Sequence, residues 1–180
     1  TSTGVSAFSG TAITSIDNGN LPSLISLAEN SFDGCVSLAS VNLTNITSAG
    51  DYCFSGCSSL SNASMPNLQS AGDYCFNGCT SLSSLSFPAL TTIGEFCFSG
   101  SGVVTIGSTD LQSLLTAGIS SFSDCLSLSY VNIPNLSTLS DSIFSGCSQL
   151  GDANFENVIT AGDGCFFNCS SLSLIHISEP

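Results

Sequence analysis

The 180-residue chain has no lysine and no arginine, set against 13 Asp and Glu, for a formal net charge of −13. A nucleic-acid reader needs cations to displace phosphate counterions, so that class of partner is excluded. Docking on anionic lipid is disfavoured for the same reason. Tryptophan is also absent, and His176 is the only histidine. With no lysine either, nothing stands ready to activate the many serines, and no G-x-S-x-G elbow occurs. The chain therefore reads as a non-enzyme. No run of 18 apolar residues is present, so no segment reads as a membrane-spanning helix. No charged n-region followed by an apolar h-region opens the chain. Charged residues make up only 7%. Its polarity comes instead from serine and threonine, about three residues in ten.

What is present is a period. Phe32, Phe54, Phe76, Phe98, Phe122, Phe144 and Phe166 recur every 22 residues, with one step of 24, and Phe8 extends the series back by another 24. Fixed self-similarity at this length is the mark of a solenoid. Six residues after the aromatic stand Leu38, Leu60, Leu82, Val104, Leu128, Leu150 and Leu172. Nine after stand Val41, Ala63, Leu85, Val131, Ala153 and Ile175, and eleven after stand Leu43, Met65, Phe87, Ile133, Phe155 and Ile177. The spacing L-x-x-L-x-L, ending in an apolar–polar alternation, predicts a half-buried strand in each unit. Pro66, Pro88 and Pro134 close these strands, where a missing N–H matters little, and Pro22 takes the same place in the leading unit. A second apolar pair, such as Ile46 and Ala49 or Leu90 and Ile93, predicts the opposite wall. Gly50, Gly72, Gly94, Gly118 and Gly162 precede the aromatic by four. Gly34, Gly56, Gly78, Gly100 and Gly146 follow it by two, with Asp124 and Asn168 as the substitutes. Those three residue types share a tolerance for left-handed backbone, so one dihedral requirement explains that column.

The stretch from Leu60 to Leu82, LSNASMPNLQSAGDYCFNGCTSL, resembles the unit of the BspA-like leucine-rich repeats of bacterial and protist surface proteins. The strand, the proline, the Gly-Asp turn, the aromatic and the Gly-Cys all agree, and the likeness runs over residues 20 to 177. Three departures stand out: units about one residue short, Cys53, Cys75, Cys97 and Cys165 where alanine is usual, and an irregular unit at 101–118. In that unit Gly107 and Thr109 fall on the apolar strand positions. The resemblance implies cell-surface adhesion or recognition, an extracellular location, and no catalytic residue.

Three constellations are candidates for chemistry. The ten cysteines occupy two columns. Cys35, Cys57, Cys79, Cys125, Cys147 and Cys169 follow the aromatic by three, and the four named above precede it by one. They fit buried reduced ladders, disulfides within the doubly substituted units, or a metal site; the unpaired members favour the first. The acidic column Glu29, Asp51, Asp73, Glu95, Asp141 and Asp163 precedes the aromatic by three. Each carboxylate is expected to cap a short helical turn of its own unit, with calcium as the sharper alternative. The third is the outward strand face: Ser40, Asn42, Asn62, Ser64, Ser84, Ser86, Tyr130, Asn132, Asp152 and Asn154. Hydroxyls and amides hydrogen-bond sugars or peptide backbone, and Tyr130 would stack on a sugar ring or anchor a peptide.

The sequence thus predicts one leucine-rich-repeat solenoid over 1–180. It has seven to eight coils of 22–24 residues, short parallel strands on a concave face, and turns or short helical segments on the convex one. Stacked about 4.8 Å apart, they make a rod roughly 35–40 Å long. The expected role is a surface module binding a protein or glycan ligand through the strand face, without cofactor or metal. A structural spacer with no ligand is the alternative. No polar capping segment closes either end, so the chain reads as part of a longer protein whose signal and anchor lie outside it. Residues 174–180 read either as a further strand or as a non-native tail, since Ile175 and Ile177 still fit the apolar columns.

Overall fold

The structure, a computed structural model, describes residues 1–177. In chain order its strands are β1 (Ser15–Asp17), β2 (Ser26–Leu27), β3 (Ser40–Asn42), β4 (Ser48–Ala49), β5 (Asn62–Ser64), β6 (Ser70–Ala71), β7 (Thr92–Ile93), β8 (Thr105–Ile106), β9 (Thr116–Ala117), β10 (Tyr130–Asn132), β11 (Thr138–Leu139), β12 (Asp152–Phe155), β13 (Thr160–Ala161) and β14 (Leu174–Ile177). All pair in parallel and in register with the equivalent strand of a neighbouring coil, as Ser40, Val41 and Asn42 pair with Asn62, Ala63 and Ser64. Two walls result. The strand face comprises β1-β3-β5 and β8-β10-β12-β14; the second wall comprises β2-β4-β6-β7-β9 and β11-β13.

The third side is built of turns, and among the described residues no helix forms there. The expected short helical segments are therefore absent, and the backbone supplies the reason. Two residues per turn lie in the left-handed region. One follows the aromatic by two, as at Gly34, Gly56 and Gly78 (φ 66°), Asp124 (φ 55°) and Asn168 (φ 59°). The other precedes it by two, at Asn30, Tyr52, Tyr74, Phe96, Ser120 and Ser142 (φ 53° to 56°) and at Gly164 (φ 64°). Left-handed residues interrupt the dihedral run a helix needs. The turns compensate by bonding to one another. Asn30, Phe32 and Gly34 donate their N–H groups to the carbonyls of Asp51, Cys53 and Ser55 at 2.8 to 2.9 Å. The same trio recurs at every coil-to-coil step from Ser6–Gly10 to Ser142–Gly146. Turn-to-turn bonds thus join every coil to the next, and strand pairing on the two walls joins most of them as well.

Between the three sides the aromatics stack. Rings Phe8, Phe32, Phe54, Phe76, Phe98, Phe122, Phe144 and Phe166 follow one another at centroid distances of 5.1 to 5.7 Å, nearly parallel. The interior members are fully buried. Each contributes about 1.5–3 kcal/mol by burial, and each stacked pair about 0.5–1.5 kcal/mol more. The leucine column packs beside them, with Leu38, Leu60, Leu82, Leu128 and Leu150 completely enclosed.

The irregular unit differs from expectation. Val104 points outward, and Val103, Ile106 and Leu111 take the inward positions. They stand five, eight and thirteen residues after Phe98, where a regular unit has six, nine and eleven. One residue is missing before the strand and three are added after it, so Gly107 and Thr109 belong to a loop rather than to failed strand positions. The leading 24-residue unit has the same frame: Ile13, Ile16 and Leu21 after Phe8. In both, an aspartate closes the added loop, Asp17 bonding the N–H of Asn20 and Asp110 that of Gly107.

The glycines four before the aromatic are not left-handed. A Cβ at Gly50, Gly72, Gly94, Gly118 or Gly162 would stand 2.5 to 2.7 Å from the backbone nitrogen of the acidic residue one coil back. At these five steps a side chain would collide with backbone, although Ala28 and Ser140 fill the same column in two other coils. Gly94→Ala should lower stability by about 1–3 kcal/mol through forced backbone displacement. Thermal unfolding followed by circular dichroism measures this, and a variant melting with the parent protein would contradict the close approach.

Candidate functional site

The outward residues of the strand face divide into two groups. Ser40, Asn42, Asn62, Ser64, Ser84 and Ser86 line a groove of about 850 Å³, together with Ser15, Asp17 and Ser61. Its floor is the apolar trio Ile16, Val41 and Ala63. Tyr130, Asn132, Asp152 and Asn154 lie outside it, farther along the same face on β10 and β12. In-register pairing sets Tyr130 beside Asp152 and Asn132 beside Asn154. The carboxamide oxygen of Asn132 and one carboxylate oxygen of Asp152 are buried atoms with no hydrogen-bond partner among the described residues. His176 stands next in that row, its Nε2 3.8 Å from Asp152.

The groove contains a break that the sequence did not disclose. Ser84–Ser86 repeats the pattern of its neighbours, yet forms no strand. No backbone hydrogen bond runs to or from these three residues. Leu85 still packs inward. The displaced frame of the following unit explains the break. With one residue removed before β8, Val104 donates to Ser83 and Phe87 donates to Asp110, so the ladder steps past the segment. Three peptide units in the groove are left to bond water or a ligand.

All ten cysteines are free and nine are buried. The column after the aromatic has one use throughout. Cys35, Cys57, Cys79, Cys125, Cys147 and Cys169 each donate Sγ–H to the carbonyl of the aromatic one coil back, at 3.0 to 3.2 Å. A thiol here is a small apolar group carrying one donor. Where the column has Thr11 and Ser101, each hydroxyl instead meets the sulfur of the next coil, Cys35 and Cys125. In the other column Cys53, Cys75 and Cys97 form an enclosed row. Burial raises the pKa of Cys53, Cys79 and Cys97 well above the usual thiol value, and pushes Cys57 up to about 12. Among the described residues no three metal-ligating side chains of the His, Cys, Asp and Glu types come together.

Three members of the acidic column, Asp51, Asp73 and Asp141, cap a backbone N–H, but not one of their own turn. Asp51 accepts from the N–H of Asp73, Asp73 from that of Glu95, and Asp141 from that of Asp163, at 2.8 to 2.9 Å. Each carboxylate reaches the following coil because the glycine there leaves room for it. The Gly-Asp pair of one repeat and the next is an interlocking step, which places the capping partner 22 residues away.

Parallel in-register coils, a leucine strand signature on the paired face and hydrogen-bonded turns opposite define a leucine-rich-repeat solenoid. A family model described as BspA type leucine rich repeat region matches residues 1–111 and 73–180, with six copies. The chain belongs to that family. It is similar to a leucine-rich repeat protein from Bacteroides ovatus, at 27% identity and a TM-score of 0.76, over 86% of this chain and 41% of that one. It is also similar to the T. pallidum leucine rich repeat protein, at 28% identity and a TM-score of 0.76, over 83% of this chain and 72% of that one. A leucine rich cell surface protein from Faecalibacterium prausnitzii, at 18% identity and a TM-score of 0.51, covers 98% of this chain and 64% of its own, a likeness of fold alone. The chain thus spans less than half of the B. ovatus protein. No match is found among curated proteins. Among the described residues no helix is long and apolar enough to cross a membrane.

The thiols make stability depend on pH in a defined direction. Burial raises the folded pKa of Cys53, Cys57, Cys79 and Cys97, so for these four the stabilisation is fully present below the unfolded thiol value and is lost as pH rises through the folded one. For Cys57 that window runs from 9.0 to about 12. Within it, each raised thiol removes roughly 1.4 kcal/mol per pH unit. Denaturant melts under reductant should therefore lose free energy above pH about 9, and a flat profile there would refute the burial of the thiols.

Proposed function

We propose that the chain is a ligand-binding module of a secreted or surface-attached protein, and that the strand-face groove takes a polar polymer, a polypeptide or a glycan chain. The supporting observation is the groove itself: a polar-walled channel of about 850 Å³ on one face of the solenoid, with the unpaired backbone of Ser84–Ser86 in its wall. Short hydroxyls and amides on in-register strands offer donors and acceptors at nearly regular steps. Such groups match a polymer that repeats its own polar groups. The absence of lysine and arginine from the whole chain turns recognition toward hydrogen bonding rather than toward anionic ligands. The surface location rests on the likeness of the repeat to those of surface proteins.

A spacer would have no need of an irregular outward face. Here the lining changes from coil to coil, from Asn42 to Ser64 to Ser86 in a single column, and the ladder breaks within the groove. The test is a glycan array and a random peptide display, both probed with the whole chain, followed by Asn42→Ala with Asn62→Ala. Both side chains are exposed, so the fold should be unaffected within about 0.5 kcal/mol. Losing two hydrogen bonds should weaken a captured ligand at least roughly tenfold. Empty screens, or ligands indifferent to the double substitution, would favour the spacer.

A further inference from the structure

The left-handed position two before the aromatic carries Ser6, Asn30, Ser120, Ser142 and Gly164 in most coils, but Tyr52, Tyr74 and Phe96 in three consecutive ones. Glycine and asparagine suit that backbone and serine adds only a small side chain to it, whereas bulky aromatics there are outliers. A left-handed conformation costs a non-glycine residue about 1–2 kcal/mol, hence about 3–6 kcal/mol over the three. Stacking offsets only part of it. Tyr52 and Tyr74 lie 4.8 Å apart and Tyr74 and Phe96 4.9 Å apart, nearly parallel. Two such pairs contribute about 1–3 kcal/mol in total. None of the three belongs to the buried core, and Tyr52 is 39% exposed. The left-handed backbone belongs to every coil, but aromatic side chains on it are a surface feature that the fold does not require, and bulky residues held in that region point to function.

We propose that Tyr52, Tyr74 and Phe96, with the carboxylates of Asp51, Asp73 and Glu95 beside them, form a second docking surface whose partner is a polypeptide segment bearing arginine or lysine. Each aromatic is preceded in sequence by its carboxylate. Asp51 and Asp73 each commit one oxygen to the next coil's N–H, which leaves the other oxygen to a partner. No lysine or arginine exists in the chain to neutralise them. The rings cover one another's faces, so the middle of the stripe presents edges rather than a platform for a sugar ring. A long aliphatic stem lies along such edges while its cationic head reaches a flanking carboxylate, and a guanidinium does so through two parallel bonds. An anionic lipid surface would be repelled. This surface is formed by turns and is separate from the strand-face groove.

The test uses the whole chain and a short peptide of alternating arginine and glycine, titrated calorimetrically at about 0.15 M salt. A glutamate–glycine peptide is the control. The arginine peptide should bind, and Tyr52→Ser with Tyr74→Ser and Phe96→Ser should weaken it at least roughly tenfold. Serine already fills this position in the coils of Ser120 and Ser142, so the backbone accepts it. Should that variant lose its fold by circular dichroism, Asp51→Asn with Asp73→Asn keeps the capping oxygens, removes the charge, and should also weaken the peptide. The groove variant Asn42→Ala with Asn62→Ala should leave its binding unchanged, which separates this surface from the groove. No binding of the arginine peptide, equal binding by the serine variant, or equal binding of the glutamate peptide would each overturn the proposal.

Discussion

Every coil of this protein is covered by a copy of itself. That in-register repetition, at about the spacing of paired strands, is the constraint on which the rest of the structure depends. A residue that enters one coil must tolerate its own equivalent directly above and below. Phenylalanine satisfies this by stacking face to face along the whole chain. The backbone satisfies it through parallel pairing on two walls and through the turn-to-turn bonds on the third side. These turn bonds are the most regular of the three sets, continuing past Ser84–Ser86 where the strand ladder stops.

The column preferences follow from the same repetition. Glycine recurs before the acidic residue because the carboxylate and backbone of the preceding coil occupy the space a side chain would need. Cysteine recurs after the aromatic because the buried carbonyl one coil back accepts a single weak donor, and a thiol supplies it with little desolvation cost. Serine in a comparable buried place fares unevenly: Ser31 finds the carbonyl of Ala28, whereas the hydroxyl of Ser121 has no partner among the described residues. Asparagine side chains stitch the corner after the strand, Asn67 bonding the carbonyl of Thr44 and Asn157 that of Pro134. The two 24-residue units add their extra residues in a loop after the strand, where a longer excursion leaves the phenylalanine stack undisturbed.

Function is left to whatever the repetition does not dictate. The interior columns stay apolar along the chain, while the outward ones vary in polarity and size, and the two proposed surfaces are both such variations. The groove arises where the strand face is polar and its ladder is interrupted. The aromatic stripe arises where three coils place rings on a left-handed backbone that carries serine, asparagine or glycine in the others. A chain of net charge −13 without a single lysine or arginine is poorly suited to hold polyanions on either.

Much of this was legible in the residues. The period, the leucine-x-x-leucine-x-leucine columns and the second apolar wall follow from spacing, because burial on a strand is a matter of parity. The left-handed turn after the aromatic was also legible, since only glycine, aspartate and asparagine occupy it. The left-handed position before it was not, because Tyr52, Tyr74 and Phe96 carry no local preference that would reveal it. Val104 was assigned to the leucine column because a deletion and an insertion partly cancel within one unit, and counting from the aromatic cannot locate either. The partner of each acidic cap was hidden as well: the N–H that Asp51 accepts belongs to Asp73, a full coil onward, and local capping rules look only a few residues ahead. The sequence by itself therefore determined the repeat, its inward and outward faces and the charge of its surface, all set by composition and short-range spacing. Only the tertiary structure decided which groups meet across coils, where the ladder breaks, and which outward residues share a groove, because those depend on how one coil is displaced against the next.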